Sequence, residues 1–238
     1  MYKMENLNTN LDKNFAEACN LCDKTFSHEE LLKLLREGTV AEKQIAALKF
    51  DFVKTEEDAI ALLSNLTGCD GKIREAAALT INRIIKEDIS AAKIFAGISS
   101  EVFSNATIDI NGNICRIIVD TANILKQYKI FRDDYTKYII NYAKEALSEL
   151  DKFIFRDKKY VINKQLFKLY WCLETLINFA QYANNHDLEE ILAKSAAQKE
   201  YTIREKTAEI IKQNNIMPNL INKLTNDDNY YVRAVFKS

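Results

Sequence analysis

The 238 residues of this chain carry 33 Lys and Arg against 34 Asp and Glu, so the formal net charge is only −1. Such a balance gives no overall electrostatic attraction for nucleic acid. Hydrophobic residues make up 47% of the chain, which is enough for a continuous core, whereas five Gly and a single Pro are few for a fold with many turns. The composition therefore favours long helices with short joints and disfavours an all-β fold.

Residues 1–25 are polar and lack the apolar segment of a secretory signal, and no run of the chain approaches the length of a membrane span. We therefore expect a cytoplasmic protein without membrane contact. The five Cys, an odd number, are then expected to be free thiols. Cys19 and Cys22 form a C-x-x-C pair, but a zinc site would need a second pair or nearby His ligands. We expect thiols that pack between helices, no metal and no cofactor.

In chain order, residues 1–26 are expected to form a polar tail and a short capping helix. From residue 27 onward, apolar residues recur at helical spacing between short polar joints, and Ser27 with Glu30 has the pattern of a capping box. The predicted helices cover residues 28–37, 41–53, 55–66, 71–86, 89–103, 114–125, 134–150, 160–182, 188–198, 203–213, 219–224 and a short segment after 232.

One stretch, residues 70–86, recurs along the chain. Its apolar side chains return every three or four positions and share one face of a helix, and Asp70 stands at the N-cap position. In three of the copies an Arg directly follows the first aliphatic residue, as Arg74, Arg204 and Arg233. Ile73 and Ile114, which open two successive copies, are 41 residues apart, and the interval holds one more helical segment. Two helices in about 40 residues is the period of HEAT and armadillo arrays.

The block Asp70-x-x-Ile73-Arg74-x-x-Ala77 resembles the HEAT-repeat pattern, in which an Asp precedes an aliphatic–Arg pair at the start of the second helix of a unit. The resemblance implies an all-α fold, a right-handed α-solenoid of about five to six HEAT-like helix pairs. We accordingly expect a single domain over residues 1–238, with the repeats in residues 27–238. The resemblance also implies a ladder in which the Asp and Arg near each turn bond to each other or to the next unit.

Stacked helix pairs create a long curved face, and such arrays use it for recognition. The sequence has no Gly-rich phosphate loop, no G-x-S-x-G and no H-E-x-x-H motif. We therefore expect a non-enzymatic scaffold or adaptor that binds a protein or peptide through the concave face formed by the second helices. The candidate contact residues on these helices are Asn82, Asn123, Lys126, Phe167 and Lys212.

Residues 152–170 indicate an alternative partner, because they combine a local charge of +5 with interleaved aromatic residues. Basic side chains neutralise phosphates, and aromatic faces stack on bases. The candidate contacts with nucleic acid are Lys158, Lys159, Lys164, Phe167, Lys168 and Trp171. This alternative would make the chain similar to HEAT-like DNA glycosylases of the alkylation-repair class, which are generally more basic. The competing interpretation of the stretch is a solvated Lys face on a helix whose aromatic residues are core.

Other enzyme classes with HEAT-like folds receive little support from the residues. Di-iron hydroxylases of this type use several His-Glu pairs, but the chain has only one, His28-Glu29. His186 and Asp187 lie in a polar joint, where a surface loop is the simplest interpretation and a dyad would still need a nucleophile. A ligand or modification enzyme similar to the HEAT-like bilin lyases is a third option that no residue specifically favours.

Overall fold

A computed structural model describes residues 5–68, 70–152 and 159–237 of the chain. Within these ranges all regular secondary structure is helical, which confirms the prediction of an all-α protein. The chain divides into two compact units, residues 1–102 and residues 103–238. The expectation of a single continuous domain stays a prediction.

The helices of the first unit follow one another with short joints. They are α1 (Glu5–Cys22), α2 (His28–Glu37), α3 (Val40–Lys49), α4 (Glu56–Leu63), α5 (Gly71–Glu87) and α6 (Ile89–Ile98). α1, α3 and α5 contact one another in succession, and α2, α4 and α6 do the same. α3 also packs on α2, and α5 packs on α4 and α6. The unit therefore consists of two layers between which the chain alternates.

The local sequence explains where these helices begin. Ser27 and Glu30 exchange hydrogen bonds at the start of α2, which confirms the predicted capping box. At the start of α5, the Asp70 carboxylate accepts hydrogen bonds from the backbone N–H groups of Lys72 and Ile73, as predicted for an N-cap. Each contact satisfies backbone donors that the first turn of a helix leaves free.

The structure divides one predicted helix into two. Residues 89–103 do not form a single helix, because the chain breaks at Ser99 between α6 and a separate helix α7 (Ser100–Thr107). Gly97 and Ser99 have low helix propensity, since Gly loses much backbone freedom in a helix and Ser competes by bonding to nearby backbone groups. The apolar periodicity continues across the break, which is why the sequence pattern did not reveal it.

The second unit begins within α7. Its further helices are α8 (Gly112–Leu125), α9 (Lys129–Lys152), α10 (Lys159–Phe179), α11 (Asn185–Ser195), α12 (Tyr201–Asn214), α13 (Pro218–Thr225) and α14 (Tyr230–Val235), with a 3-10 turn at Ala180–Tyr182. α8, α10, α12 and α14 contact one another in succession, and α9 contacts α11. α9 pairs with α10, α11 with α12, and α13 with α14. This unit, too, has two layers of alternating helices.

The core of the second unit is centred on Tyr135. α9 begins at Lys129, earlier than the predicted residue 134, and the additional turn places Phe131 in the core beside Tyr135. Tyr135 is fully buried, its ring stacks on Phe131 at 5.1 Å, and it meets Phe179 edge-on at 5.3 Å. Its hydroxyl lies 2.6 Å from Thr107 Oγ1. Burial raises the pKa of Tyr135, so the phenol stays neutral and its polar atom is satisfied by the hydrogen bond.

The recurring Arg has the same structural role in its three copies. Each is the fourth residue of its helix and donates through Nη1 to a carbonyl six positions earlier, in the turn that precedes the helix. The donor and acceptor residues are Arg74 with Gly68, Arg204 with Gln198, and Arg233 with Asp227. We call these side chains the turn arginines. Since turn carbonyls have no partner in a helix ladder, the turn arginines stabilise the conformation of each turn.

Arg204 also binds the turn that precedes α14. Its Nε and Nη2 donate to the two carboxylate oxygens of Asp227 at 2.7 and 2.8 Å, and Nη2 donates to Asp228 at 2.7 Å. The side chains of Arg204 and Asp227 are only 11% and 7% exposed. The hydrogen bonds from Arg204 lower the pKa of Asp227 to about 2. This contact is one step of the kind of Asp–Arg ladder that the sequence predicts.

Replacing Arg204 by Met is expected to lower the free energy of unfolding by about 3 kcal/mol, because the buried Asp227 carboxylate would lose its partner. Urea unfolding followed through the fluorescence of Trp171, the single Trp of the chain, measures the loss in the second unit. Lys194→Met is the control, since Lys194 is 47% exposed and forms an i,i+4 pair with Glu190. Its loss should stay below about 0.5 kcal/mol, and equal losses in the two variants would contradict the account.

The low pKa of Asp227 predicts a dependence of stability on pH. A carboxyl group with a depressed pKa in the folded state adds stability above its unfolded pKa, and this stability is lost as the pH falls through the folded pKa. For Asp227 the window runs from about pH 4 to about pH 2 and the contribution is about 2 kcal/mol. In urea titrations across this window, the difference in unfolding free energy between the wild type and Asp227→Asn should shrink as the pH falls. A constant difference would exclude the assigned role.

Candidate functional site

In the first unit, the predicted contact residue lies in the layer of α1, α3 and α5. In the second unit, the predicted contact residues lie in the layer of α8, α10, α12 and α14. Asn82 lies on α5. On α8, α10 and α12, or directly after α8, lie Asn123, Lys126, Lys164, Phe167, Lys168, Trp171 and Lys212. Lys158 is outside the described residues, and Lys159 is the first residue of α10 but its side chain is outside the description. The role of these residues as contacts with a partner stays a prediction.

A groove of about 360 Å³ opens on this layer of the second unit, between α10 and the start of α12. We call it the aromatic groove, and its lining residues are Asn163, Leu166, Phe167, Tyr170, Trp171, Glu200 and Thr202. Gly112, the first residue of α8, borders it, since a Cβ atom at this position would lie 3.6 Å from the Trp171 ring. The structure therefore brings two of the predicted residues, Phe167 and Trp171, together in one concavity.

Three aromatic rings of α10 form the wall of the aromatic groove. The Trp171 ring meets those of Phe167 and Tyr170 edge-on, with centroids 6.1 and 5.3 Å apart. Edge-to-face pairs add stability beyond the burial of their area. Trp171 is only 8% exposed and packs with Cys115 and Val119 of α8, whereas Phe167 is 36% exposed. The wall is therefore anchored in the core at Trp171 and accessible at Phe167.

The indole N–H of Trp171 has no partner in the described part of the chain. Its Nε1 atom is buried and no acceptor lies within hydrogen-bond distance. A buried donor without an acceptor costs about 1–3 kcal/mol, and most buried donors have one. Trp171 therefore contributes an unused donor to the wall of the groove.

The basic residues of α10 differ in their availability. Lys164 is exposed. Lys168 has only 15% of its side chain exposed, because its Nζ donates to Glu145 on α9 at 2.6 Å and lies 4.8 Å from the centre of the Tyr142 ring. The charge of Lys168 is thus compensated within the protein, and contact with a phosphate would require this ion pair to break.

A second internal ion-pair network lies between α10 and α12. Lys206 Nζ is 2.8 Å from carboxylate oxygens of both Glu174 and Glu209, and it lies 5.6 Å from the centre of the Tyr170 ring. Burial opposes the charge of Lys206, but the hydrogen bonds with Glu174 and Glu209 outweigh it and raise its pKa. Lys206 therefore stays charged and compensates these two carboxylates.

A second groove of about 610 Å³ lies on the other side of α12, against α14. Its lining residues are Glu205, Glu209, Lys212, Gln213, Tyr231, Ala234 and Val235. Lys212 donates to the backbone carbonyl of Val235 at 2.7 Å, so this predicted contact residue fastens α12 to α14. Tyr231 stacks on Tyr201 of α12 at 5.9 Å. Burial, and then the neighbouring Glu209, raise the pKa of the half-buried Glu205.

In the first unit, Asn82 borders a shallow groove of about 450 Å³ on α3 and α5. Leu48 and Leu79 form its apolar part, with 45% and 47% of each residue exposed. Arg83 crosses the groove, donates to the Phe50 carbonyl at 2.7 Å and so ties α5 to the end of α3. This groove contains aliphatic rather than aromatic contact area.

The structure corrects the expectation that the C-x-x-C pair packs between helices. Cys19 and Cys22 are both exposed, because α1 contacts α3 through Ala18 and Leu21 on another face. The described residues contain no group of three or more His, Cys, Asp or Glu side chains placed to hold a metal ion. No described helix is both long enough and apolar enough to cross a membrane.

The remaining reactive groups have structural surroundings. His28 stacks on Phe52 at 4.5 Å and its Nε2 lies 2.9 Å from Asp58 Oδ1, so it links α2 to α4. His186 is exposed in the first turn of α11. Cys115 and Cys172 are buried, and burial raises the pKa of each thiol to about 12. These thiols therefore stay protonated and poorly nucleophilic.

The sequence reasoning missed Glu200 and Thr202 in the aromatic groove and Glu205 and Tyr231 in the second groove. The sequence did contain an indication for Glu205, because it carries the same charge as Glu209, four residues later on the same helical face, and such like-charge pairs are unfavourable. Glu200 carried no such signal, because its position in the groove depends on the packing of α10 against the start of α12.

The burial of Trp171 predicts weak quenching of its fluorescence by acrylamide. Phe167→Ser is expected to increase the quenching constant several-fold, because Phe167 covers one edge of the indole ring. Tyr160→Ser on the same helix is the matched control, since Tyr160 is 75% exposed and does not line the groove. An equal change in both variants would contradict the described geometry of the aromatic groove.

No protein-family profile and no curated protein sequence matches this chain.

Proposed function

We propose that the chain is a protein-binding scaffold in which each unit is a short right-handed α-solenoid of HEAT-like helix pairs. The alternation of the chain between two layers, with every second helix in contact, supports this arrangement in each unit. The identical contact of the three turn arginines supports a structural repeat, since copies of one unit would reuse the same turn.

The observation that carries the binding function is the aromatic groove. Aromatic residues are enriched at the centres of protein interfaces, where a few of them supply most of the binding energy. Here Phe167 is accessible, Tyr170 is half-buried beside it, and Trp171 holds both from the core side. A rigid aromatic wall of this kind loses little conformational entropy on binding. The groove thus has the properties of a pocket for an apolar anchor residue of a partner protein.

The charges around the groove favour a protein over a nucleic acid as the partner. Lys168 is paired with Glu145, and Lys206 is paired with Glu174 and Glu209. A surface that binds phosphates needs cations that are free to replace counterions. The compensated lysines therefore weaken the alternative that the chain acts like a HEAT-like DNA glycosylase or another nucleic-acid-binding protein.

The proposal is tested by affinity capture from native lysate with the purified full chain as bait, with and without nuclease. We expect a discrete protein, identified by mass spectrometry, that survives nuclease, is lost with Phe167→Ser as bait and is retained with Tyr160→Ser. The control matters because both variants remove one aromatic ring from α10, but only Phe167 lines the groove.

Two results would overturn the scaffold proposal. The first is recovery of nucleic acid with proteins that disappear on nuclease treatment. The second is a set of captured proteins that is the same for both variants and the wild type, which would place any interaction outside the aromatic groove.

A further inference from the structure

The carboxylates on the face of α10, α12 and α14 fall into two groups. Glu174 and Glu209 are compensated by Lys206. Glu200 and Glu205 have no cationic partner in the described part of the chain, although Glu200 accepts a weak hydrogen bond from Thr202 at 3.3 Å. Both are half-buried, and each lines one of the two grooves on either side of α12. This face therefore presents uncompensated negative charge directly beside aromatic rings.

Lys206 attracts the Glu205 carboxylate, but it already pairs with both Glu174 and Glu209, so this face keeps a negative charge. Lys212 is fastened to the Val235 carbonyl, and Arg204 is held by Asp227 and the turn carbonyls. Lys164 is exposed one helical turn before Phe167, at the α10 side of the aromatic groove. A bound cation is accordingly favoured toward α12, where the two free carboxylates lie, and disfavoured near Lys164.

We propose that the segment bound by this face is basic, with an apolar residue in the aromatic groove and a neighbouring Lys or Arg at Glu200 or Glu205. This inference rests on the proposed scaffold function and specifies the chemistry of its partner. A carboxylate beside aromatic faces attracts Lys or Arg both by its charge and through cation–π contact with the rings.

The structure accounts for the preference for an apolar residue and for the preference for a basic residue. The rings of Phe167, Tyr170 and Trp171 supply apolar contact in the aromatic groove. Tyr231, whose ring stacks on Tyr201 of α12, supplies it in the second groove. An acidic or phosphorylated segment would instead bring like charge to Glu200 and Glu205, which disfavours binding.

The test uses a library of random 12-residue peptides displayed on phage, selected on the full chain and counter-selected on the Phe167→Ser variant. We expect the enriched peptides to combine Lys or Arg with an aromatic or aliphatic residue. The most enriched peptide is then synthesised, and its dissociation constant is measured through the fluorescence of Trp171. The double variant Glu200→Gln/Glu205→Gln should weaken its binding about fivefold or more, because it removes the carboxylate that pairs with the basic residue at either position.

The matched control is Asp151→Asn/Glu189→Gln, which changes the net charge by the same amount at exposed positions of the second unit that line neither groove. It should leave the dissociation constant within about twofold of the wild type. Enriched peptides that are neutral or acidic, or a loss of affinity that is equal in both double variants, would overturn the basic-segment inference and leave the scaffold proposal standing. Failure to enrich any peptide over the Phe167→Ser variant would overturn both.

Discussion

Arg204 closes two turns of the second unit at once. Its guanidinium donates to the Gln198 and Lys199 carbonyls in the turn before α12 and, at the same time, to Asp227 in the turn before α14. Because the guanidinium is planar and its donors have fixed directions, these contacts also fix the position of α14 along α12. A Lys at this position would supply the positive charge but not the planar set of donors with fixed directions. Arg204 thus acts together with the Lys212–Val235 hydrogen bond and the Tyr201–Tyr231 stack in fixing α14 on α12.

In the second unit, α8, α10, α12 and α14 pack in succession as one layer. The turns before α12 and α14 are held by equivalent Arg contacts, and the apolar sides of the helices of this layer are buried. The outer surface of the layer is formed by side chains that are not buried in the core. In the second unit these are the rings of α10 and the carboxylates of α12. The two grooves are therefore a consequence of helix register rather than of any special loop.

The repeat pattern was visible in the sequence because it depends on local chemistry. Each of the two predicted caps, at Asp70 and at Ser27–Glu30, joins residues that are close in sequence, and the structure contains both. The position of Arg204 directly behind an aliphatic residue is likewise a local feature of the sequence. Helix ends were less predictable where apolar periodicity ran through a break, as at Ser99, or began before the expected residue, as in α9.

The chemistry of the candidate site was harder to predict, because it depends on partners that are distant in sequence. Lys168 was expected to be an available cation, but its partner Glu145 lies 23 positions earlier on another helix. The exposure of Cys19 likewise depends on which face of α1 packs against α3. In contrast, the pairing of Phe167 with Trp171 follows from their i,i+4 spacing, and both residues were identified from the sequence.

The central claim, that the aromatic groove is a protein-binding surface, is tested most directly by photo-crosslinking. A benzophenone amino acid is placed at position 167 of the full chain, the protein is irradiated in native lysate, and covalent products are identified by mass spectrometry. The same label at position 160, on the same helix but outside the groove, serves as the reference. The account predicts a discrete protein adduct at position 167 that is absent at position 160. Identical adducts at both positions, or crosslinks only to nucleic acid, would contradict it.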